Sequence, residues 1–168
     1  MERAALVRYL AAVPSLTVSR DVAAPADVVF NVATDLDAAA ETIAGIESID
    51  ILERGAGGRS FDVGTKWRET RVIMGKRATE TMWISEFEPG RRYVAEAESC
   101  GTHYRTSVQV EPAGQGRSRV SYAFDGRPVT LFARLMTPLG FLFKGVMRKC
   151  AEADLADIAK AAESRVAA

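Results

Sequence analysis

Residues 65–98 read TKWRETRVIMGKRATETMWISEFEPGRRYVAEAE, and this stretch decides the fold. Thr65 to Met74 and Lys76 to Phe87 are two alternating runs rich in β-branched and aromatic residues, with little more than Gly75 between them. That is the pattern of two strands joined by a tight hairpin. Glu88-Pro89-Gly90 is a second turn, because proline presets one backbone angle and glycine accepts the left-handed one, and Arg91 to Glu98 follows as another strand. Further along, Ser99 to Thr102, with Gly101, leads into His103–Glu111, and Pro112 to Gly116 leads into Arg117–Asp125. Five consecutive strands joined by short turns make an antiparallel meander.

Toward the N-terminus, Leu16 to Ala23 alternates Leu16, Val18, Arg20 and Val22 against Thr17, Ser19 and Asp21, and reads as a strand. Ala24-Pro25-Ala26-Asp27 then opens a helix, since proline is tolerated in a first turn and Asp27 suits the positive end of the helix dipole. Val28, Val29, Phe30 and Val32 supply its buried side. A second short helix is predicted over about Leu36 to Ile43, stopped by Gly45, and Ile46 to Arg54 reads as a strand followed by a flexible connection at Gly55, Gly57 and Gly58. Beyond Pro128 the pattern changes. From about Val129 to Val166, Leu131, Leu135, Leu139, Leu142, Val146, Cys150, Leu155 and Ile158 recur at helical steps, and Thr137-Pro138 is predicted to kink or reset the helix. Met1 to Val13 is broken by Arg3 and Arg8, so it reads as a short amphipathic helix and not as a signal peptide. The expected order is strand, two helices, six strands, long helix.

A chain of 168 residues fits one hydrophobic core, here an N-terminal extension over 1–15 and a single domain over 16–166. Apolar residues are 48% and charged residues 26%, the balance of a globular protein. Basic and acidic residues number 22 each, so no overall excess of positive charge draws the whole surface onto nucleic acid or an acidic membrane. No run approaches the roughly 20 apolar residues that span a bilayer, so no stable membrane insertion is expected and the cytoplasm is the default location. Cys100 and Cys150 lack the close spacing of a zinc or redox pair and read as reduced thiols, and His103 is the sole histidine. A metal site or a histidine triad has little material, and no metal or cofactor is expected.

Strand twist accumulates, so a sheet of five to seven strands curls and acquires a concave side. One helix about 10 Å across cannot fill that side, so the order of elements implies a pocket between helix and sheet, closed at one end by the two short helices. From about Leu16 to Ile158 the chain resembles the START-like, helix-grip superfamily, and within it the polyketide cyclase/dehydrase and lipid-transport group. The carrying features are the opening strand with Ala24-Pro25-Ala26-Asp27-Val28-Val29-Phe30, then Val63-Gly64-Thr65-Lys66-Trp67, the turn Glu86-Phe87-Glu88-Pro89-Gly90-Arg91-Arg92, the Gly116-to-Val120 entry into the last strand, and the closing helix. The resemblance implies an α+β helix-grip fold: a curved antiparallel sheet of about seven strands around a long C-terminal helix. It also implies a scaffold that carries lipids, sterols, polyketides or other apolar ligands, with catalysis in only some members.

Period-two alternation sorts the strands into faces. Trp67, Glu69, Arg71 and Ile73 are placed inward on the third strand, then Ala78, Glu80, Met82 and Ile84 on the next. Tyr93, Ala95 and Ala97, then Tyr104, Thr106, Val108 and Val110, then Val120, Tyr122 and Phe124 continue the concave wall. From these, with Leu135 and Leu139 of the closing helix, the candidate ligand contacts are Trp67, Glu69, Arg71, Glu80, Met82, Tyr93, Tyr104, Thr106, Tyr122 and Phe124. Trp67, Ile84, Met82, Val108 and Phe124 are also ordinary core material, whereas a buried phenol needs a polar partner and can orient a ligand's oxygen. Glu69, Arg71 and Glu80, if inward, must pair with each other or with a polar ligand group. A one-residue slip would turn them into solvated surface charges, the commoner placement for such side chains. Arg134 reads as a solvated helix charge or a residue at the pocket mouth, and His103 as exposed rather than catalytic.

The cavity argument and the resemblance together leave three functions open. The first is binding or transport of a hydrophobic small molecule, by a monomer or homodimer. The second is an aromatase/cyclase in which pocket tyrosines and carboxylates shuttle protons on a poly-ketone. The third is a protein-interaction or chaperone-regulating module on the same fold with a filled core.

Overall fold

The computed structural model describes residues 13–58 and 61–167, with the side chains of all these except 13–14, 57 and 136–143. The helix expected at the N-terminus lies outside the described residues. Seven strands form one antiparallel sheet: β1 (Val13–Val22), β2 (Ile46–Glu53), β3 (Lys66–Ile73), β4 (Lys76–Glu88), β5 (Arg92–Ser99), β6 (Thr102–Pro112) and β7 (Ser118–Pro128). Their spatial order is β1-β7-β6-β5-β4-β3-β2, so the meander is capped by the first strand, which crosses to pair with the last. Between β1 and β2 lie α1 (Ala26–Ala33) and the four-residue α2 (Ala39–Thr42), and the chain closes with α3 (Leu131–Ala167). The second helix is shorter than its alanine-rich sequence predicts. Proline stands just outside the first, at Pro25, where the lost N–H costs nothing.

The turns follow from backbone chemistry. Met74 and Gly75 have φ of 52° and 74°, and Cys100 and Gly101 have 49° and 73°. Positive φ at both central residues gives a two-residue hairpin whose twist matches its strands. At Gly101 a side chain would also collide with Thr130, so glycine is required there twice over.

Register puts the apolar alternates on one face: Trp67 opposite Met82, Ala97 opposite Tyr104, and Val108 opposite Tyr122. An irregularity between Ile84 and Glu86 inserts an extra residue, which brings Phe87 back to the inner face, where it packs against the core. The largest core cluster joins Leu16, Val22, Val29, Phe30, Val110, Val120, Leu155 and Ala162. Each fully buried Val, Leu, Ile or Phe contributes about 1.5–3 kcal/mol over an exposed one.

The helix is long, unbroken at Pro138, and asymmetrically seated. Its backbone comes close chiefly to β1, α1 and β7, with no comparable approach to β3, β4 or β5. Two carboxylates on it fasten the crossing segment: Glu163 accepts from the Ala23 N–H at 2.9 Å and Asp157 from the Ala44 N–H at 3.0 Å. The middle of the sheet is therefore left uncovered on its concave side.

Candidate functional site

That uncovered region is a cavity of about 420 Å³. Strand alternation delivers its wall: Trp67, Glu69, Arg71 and Ile73 from β3; Ala78, Glu80 and Met82 from β4; Tyr93, Ala95 and Ala97 from β5; Tyr104, Thr106 and Val108 from β6; Tyr122 and Phe124 from β7. Ile84, Val110 and Val120, expected on the same face, are buried in the packed core. At the end nearest α1, Phe61 meets Tyr93 edge-on at 4.9 Å between centroids and lies 5.7 Å from Phe87. Toward the opposite end Tyr104 stacks on Phe124 at 5.5 Å.

One polar cluster interrupts this apolar lining. Arg71 donates from Nε to Glu69 Oε1 at 2.5 Å and from Nη2 to Asp154 Oδ2 at 2.6 Å, so a single guanidinium bridges β3 and α3 across the cavity. Trp67 Nε1 donates to the other Glu69 oxygen at 3.2 Å. The side chains of Glu69 and Asp154 are only 12% and 13% exposed, which is tolerable because each is answered by Arg71. Even so, burial outweighs the guanidinium and holds the Asp154 carboxyl above its ordinary value of 3.8. Burial likewise raises the phenols: Tyr122 is pushed up to about 12, partly offset by Thr106, and Tyr93 is raised further. Tyr93 donates to the Ala33 carbonyl at 3.4 Å. Glu80 lines the cavity directly across the strand pair from Glu69, and has no hydrogen bond or ion pair among the described residues. Both tyrosines are thus neutral donors at ordinary pH, and among the described lining residues the carboxylates outnumber the cation Arg71.

Ten of the twelve candidate contacts line the cavity, including the three charges whose surface placement was the commoner expectation. Leu135 is a correction: it is 77% exposed and does not line the cavity, because Ala133, 8% exposed, takes the inward position of that turn. The side chain of Leu139 lies outside the described residues. Arg134 is exposed, and His103 stands away from the cavity between Glu96 (2.9 Å) and Glu98 (3.2 Å), with Trp83 edge-on at 6.0 Å. Cys100 and Cys150 are free thiols. The sequence reading missed Asp154, although it falls four residues after Cys150 and four before Ile158, on the stripe already drawn. It also missed Phe61, which belongs to no periodic run and had no signal.

A curved antiparallel sheet gripping a long helix over an apolar cavity defines the helix-grip class, the START-like proteins. From residue 13 to 163 the sequence matches the family described as polyketide cyclase/dehydrase and lipid transport, and the chain belongs to that family. No curated protein matches it in sequence. Among solved structures it is similar to the Zhui aromatase/cyclase of a Streptomyces (22% identity, TM-score 0.72, 91% of this chain and 95% of that one). It is also similar to a START superfamily protein from Mycobacterium smegmatis (19%, 0.64, 90% and 96%) and to norcoclaurine synthase of Thalictrum flavum (17%, 0.63, 91% and 96%). At these identities the likeness is one of fold. No helix of the described residues is long and apolar enough to cross a membrane.

Proposed function

We propose that this protein binds a hydrophobic small molecule in the cavity between sheet and α3, with the Arg71 cluster and Glu80 orienting its polar atoms. The observation that carries the reading is the cavity itself. A volume of about 420 Å³ lined largely by apolar side chains lies in the range that takes drug-sized ligands, roughly 300–1,000 Å³. Trp67, Met82, Tyr93, Tyr104, Thr106, Tyr122 and Phe124 supply the contact surface, and Glu69, Arg71 and Glu80 the polarity. Because Arg71 is already shared by Glu69 and Asp154, a carboxylate ligand would meet net negative charge. A ligand offering hydroxyl or amine donors fits better. The family's lipid and polyketide description supports the apolar part of the reading.

The test is native mass spectrometry of freshly purified protein, followed by displacement of an environment-sensitive apolar dye. A co-purifying apolar mass, or dye displaced by a neutral polyphenol but not by a fatty acid of similar size, is the expected result. Protein that carries nothing and takes up no dye overturns the proposal.

A second reading, an aromatase/cyclase, is favoured by one feature: two buried neutral phenols share the cavity with a carboxyl raised by burial. Phenols that keep their protons on the sheet wall, facing a carboxyl on α3, suit acid and base steps of aldol closure and dehydration. Glu69→Gln and Glu80→Gln would abolish turnover of a test poly-ketone while leaving the fold intact; unchanged turnover removes this reading. The third expectation, an interaction module, assumed a filled interior, and the cavity supports the ligand reading over it.

A further inference from the structure

The first turns of α3 invert the usual order of a helix on a protein. Ala133 is buried, while Leu131, Phe132 and Leu135 are 83%, 71% and 77% exposed, with Val129 at 55% just before them. Large apolar side chains pointing outward around a small inward one form a patch that singly scattered surface residues do not. The charge of this stretch is also unlike the rest of the chain. From residue 126 to 151 there are five basic residues, Arg127, Arg134, Lys144, Arg148 and Lys149, and no acidic one, in a chain whose charges balance. All five are exposed, and among the described residues only Arg148 has an ion-pair partner, Glu152.

The fold fixes where this patch sits. The Val129 and Thr130 N–H groups both donate to the Gly101 carbonyl, at 2.8 and 3.2 Å, tying the helix start to the β5–β6 turn. Antiparallel order puts the β3–β4 turn at the same end of the sheet, and there Met74 is 73% exposed beside exposed Lys76. Ile73, Ala97 and Tyr104, next to these turns, line the cavity. One end of the sheet therefore carries protruding apolar side chains interleaved with exposed cations, over that end of the cavity wall.

We propose that this end of the molecule docks reversibly on an anionic lipid bilayer, with Leu131, Phe132 and Leu135 entering the headgroup boundary and Arg127 and Arg134 meeting lipid phosphates. Two weak signals acting together, apolar insertion and cationic attraction, are what interfacial association requires. Exposed side chains flanked by cations suit a fluid apolar phase beneath anionic headgroups better than a protein partner, which would have to supply matching pockets. The inference stands apart from the ligand reading, since none of these residues lines the cavity.

The test is co-sedimentation of the full chain with phosphatidylcholine vesicles and with vesicles equimolar in phosphatidylcholine and phosphatidylglycerol, at low and high salt. Binding is expected to the anionic vesicles, falling about tenfold at high salt because the cations are exposed. Phe132→Ser/Leu135→Ser is expected to lower it by about tenfold or more, with circular dichroism and dye uptake unchanged. Arg127→Glu/Arg134→Glu, also remote from the core, is expected to remove the preference for anionic vesicles. The proposal is overturned if the wild type ignores anionic vesicles at low salt, if it binds both vesicle types alike, or if both variants bind as the wild type does. It is equally overturned if sedimentation velocity shows a wild-type dimer that Phe132→Ser/Leu135→Ser dissolves, since the patch then belongs to a second copy of the chain.

Discussion

The two halves of α3 use the same residue types for opposite ends. From Ala151 to Ala162 the helix turns Ala151, Leu155, Ile158, Ala159 and Ala162 into the main core, each at most 6% exposed. From Leu131 to Leu135 it turns its leucines and Phe132 outward and buries only Ala133. A stripe at helical spacing states that a helix has an apolar face; it does not state what that face meets. The C-terminal part meets β1 and α1, which cross beneath it, while the residues leading into the first turn are tied by the Val129 and Thr130 N–H groups to a hairpin turn, and that first turn faces its large apolar side chains outward.

The contrast is sharpest under one chemical change made at both ends. Leu155→Ala removes a side chain 2% exposed in the main core and is expected to cost about 3 kcal/mol, the transfer term plus the void left behind. Urea unfolding measures it. A loss under about 1 kcal/mol would mean that the packed half is no better packed than the rest.

Between the two extremes stands Asp154, a charge inside the packed half. Arg71→Met leaves Glu69 and Asp154 without their cation, and is expected to destabilise by about 2 kcal/mol, less than for a sealed pair because the cavity can admit water to both carboxylates. Arg71→Met combined with Glu69→Gln and Asp154→Asn should recover most of that loss. If the triple variant is no more stable than the single one, the cluster is not a coupled unit.

The same carboxyl sets a smaller, pH-dependent effect. Burial raises Asp154 above 3.8 in the folded chain, so the folded state holds this proton more tightly than the unfolded state. Its contribution is complete below 3.8 and is lost as pH rises through the raised value. Asp21, held low by Arg119, and Glu86, held low by Arg105 and Arg92, run the other way: their contributions are present above the ordinary carboxylate values and lost on acidification. The stability of the wild type relative to Asp154→Asn should therefore fall as pH rises from about 3.8. A difference flat across that window rejects burial as the cause.

Much of this was legible in the sequence for a physical reason. Strand alternation is strict, so once Trp67 is turned inward the places of Glu69, Arg71 and Ile73 follow, and the paired strand carries the pattern to Ala78, Glu80 and Met82. The structure agrees at each of these. What failed to show was whatever depends on a partner remote in sequence. Asp154 lay on the drawn stripe but looked like one more solvated helix charge until Arg71, 83 residues away, was seen to reach it. Leu135 lay on the stripe as well, and nothing local announced that its turn would be presented backwards. Phe61 sits outside any repeat, so neither period could find it.

Leu135→Ala completes the comparison from its weak end. Stability should change by no more than about 0.5 kcal/mol, because a side chain 77% exposed has little contact to lose and alanine is the better helix former. If urea unfolding instead reports a loss near that of Leu155→Ala, the first turns of α3 are covered in solution, and the outward patch is already occupied by part of this chain. If stability holds while partition onto anionic vesicles drops, the two halves are separated by what they face: one leucine works on the fold, the other on a surface outside it.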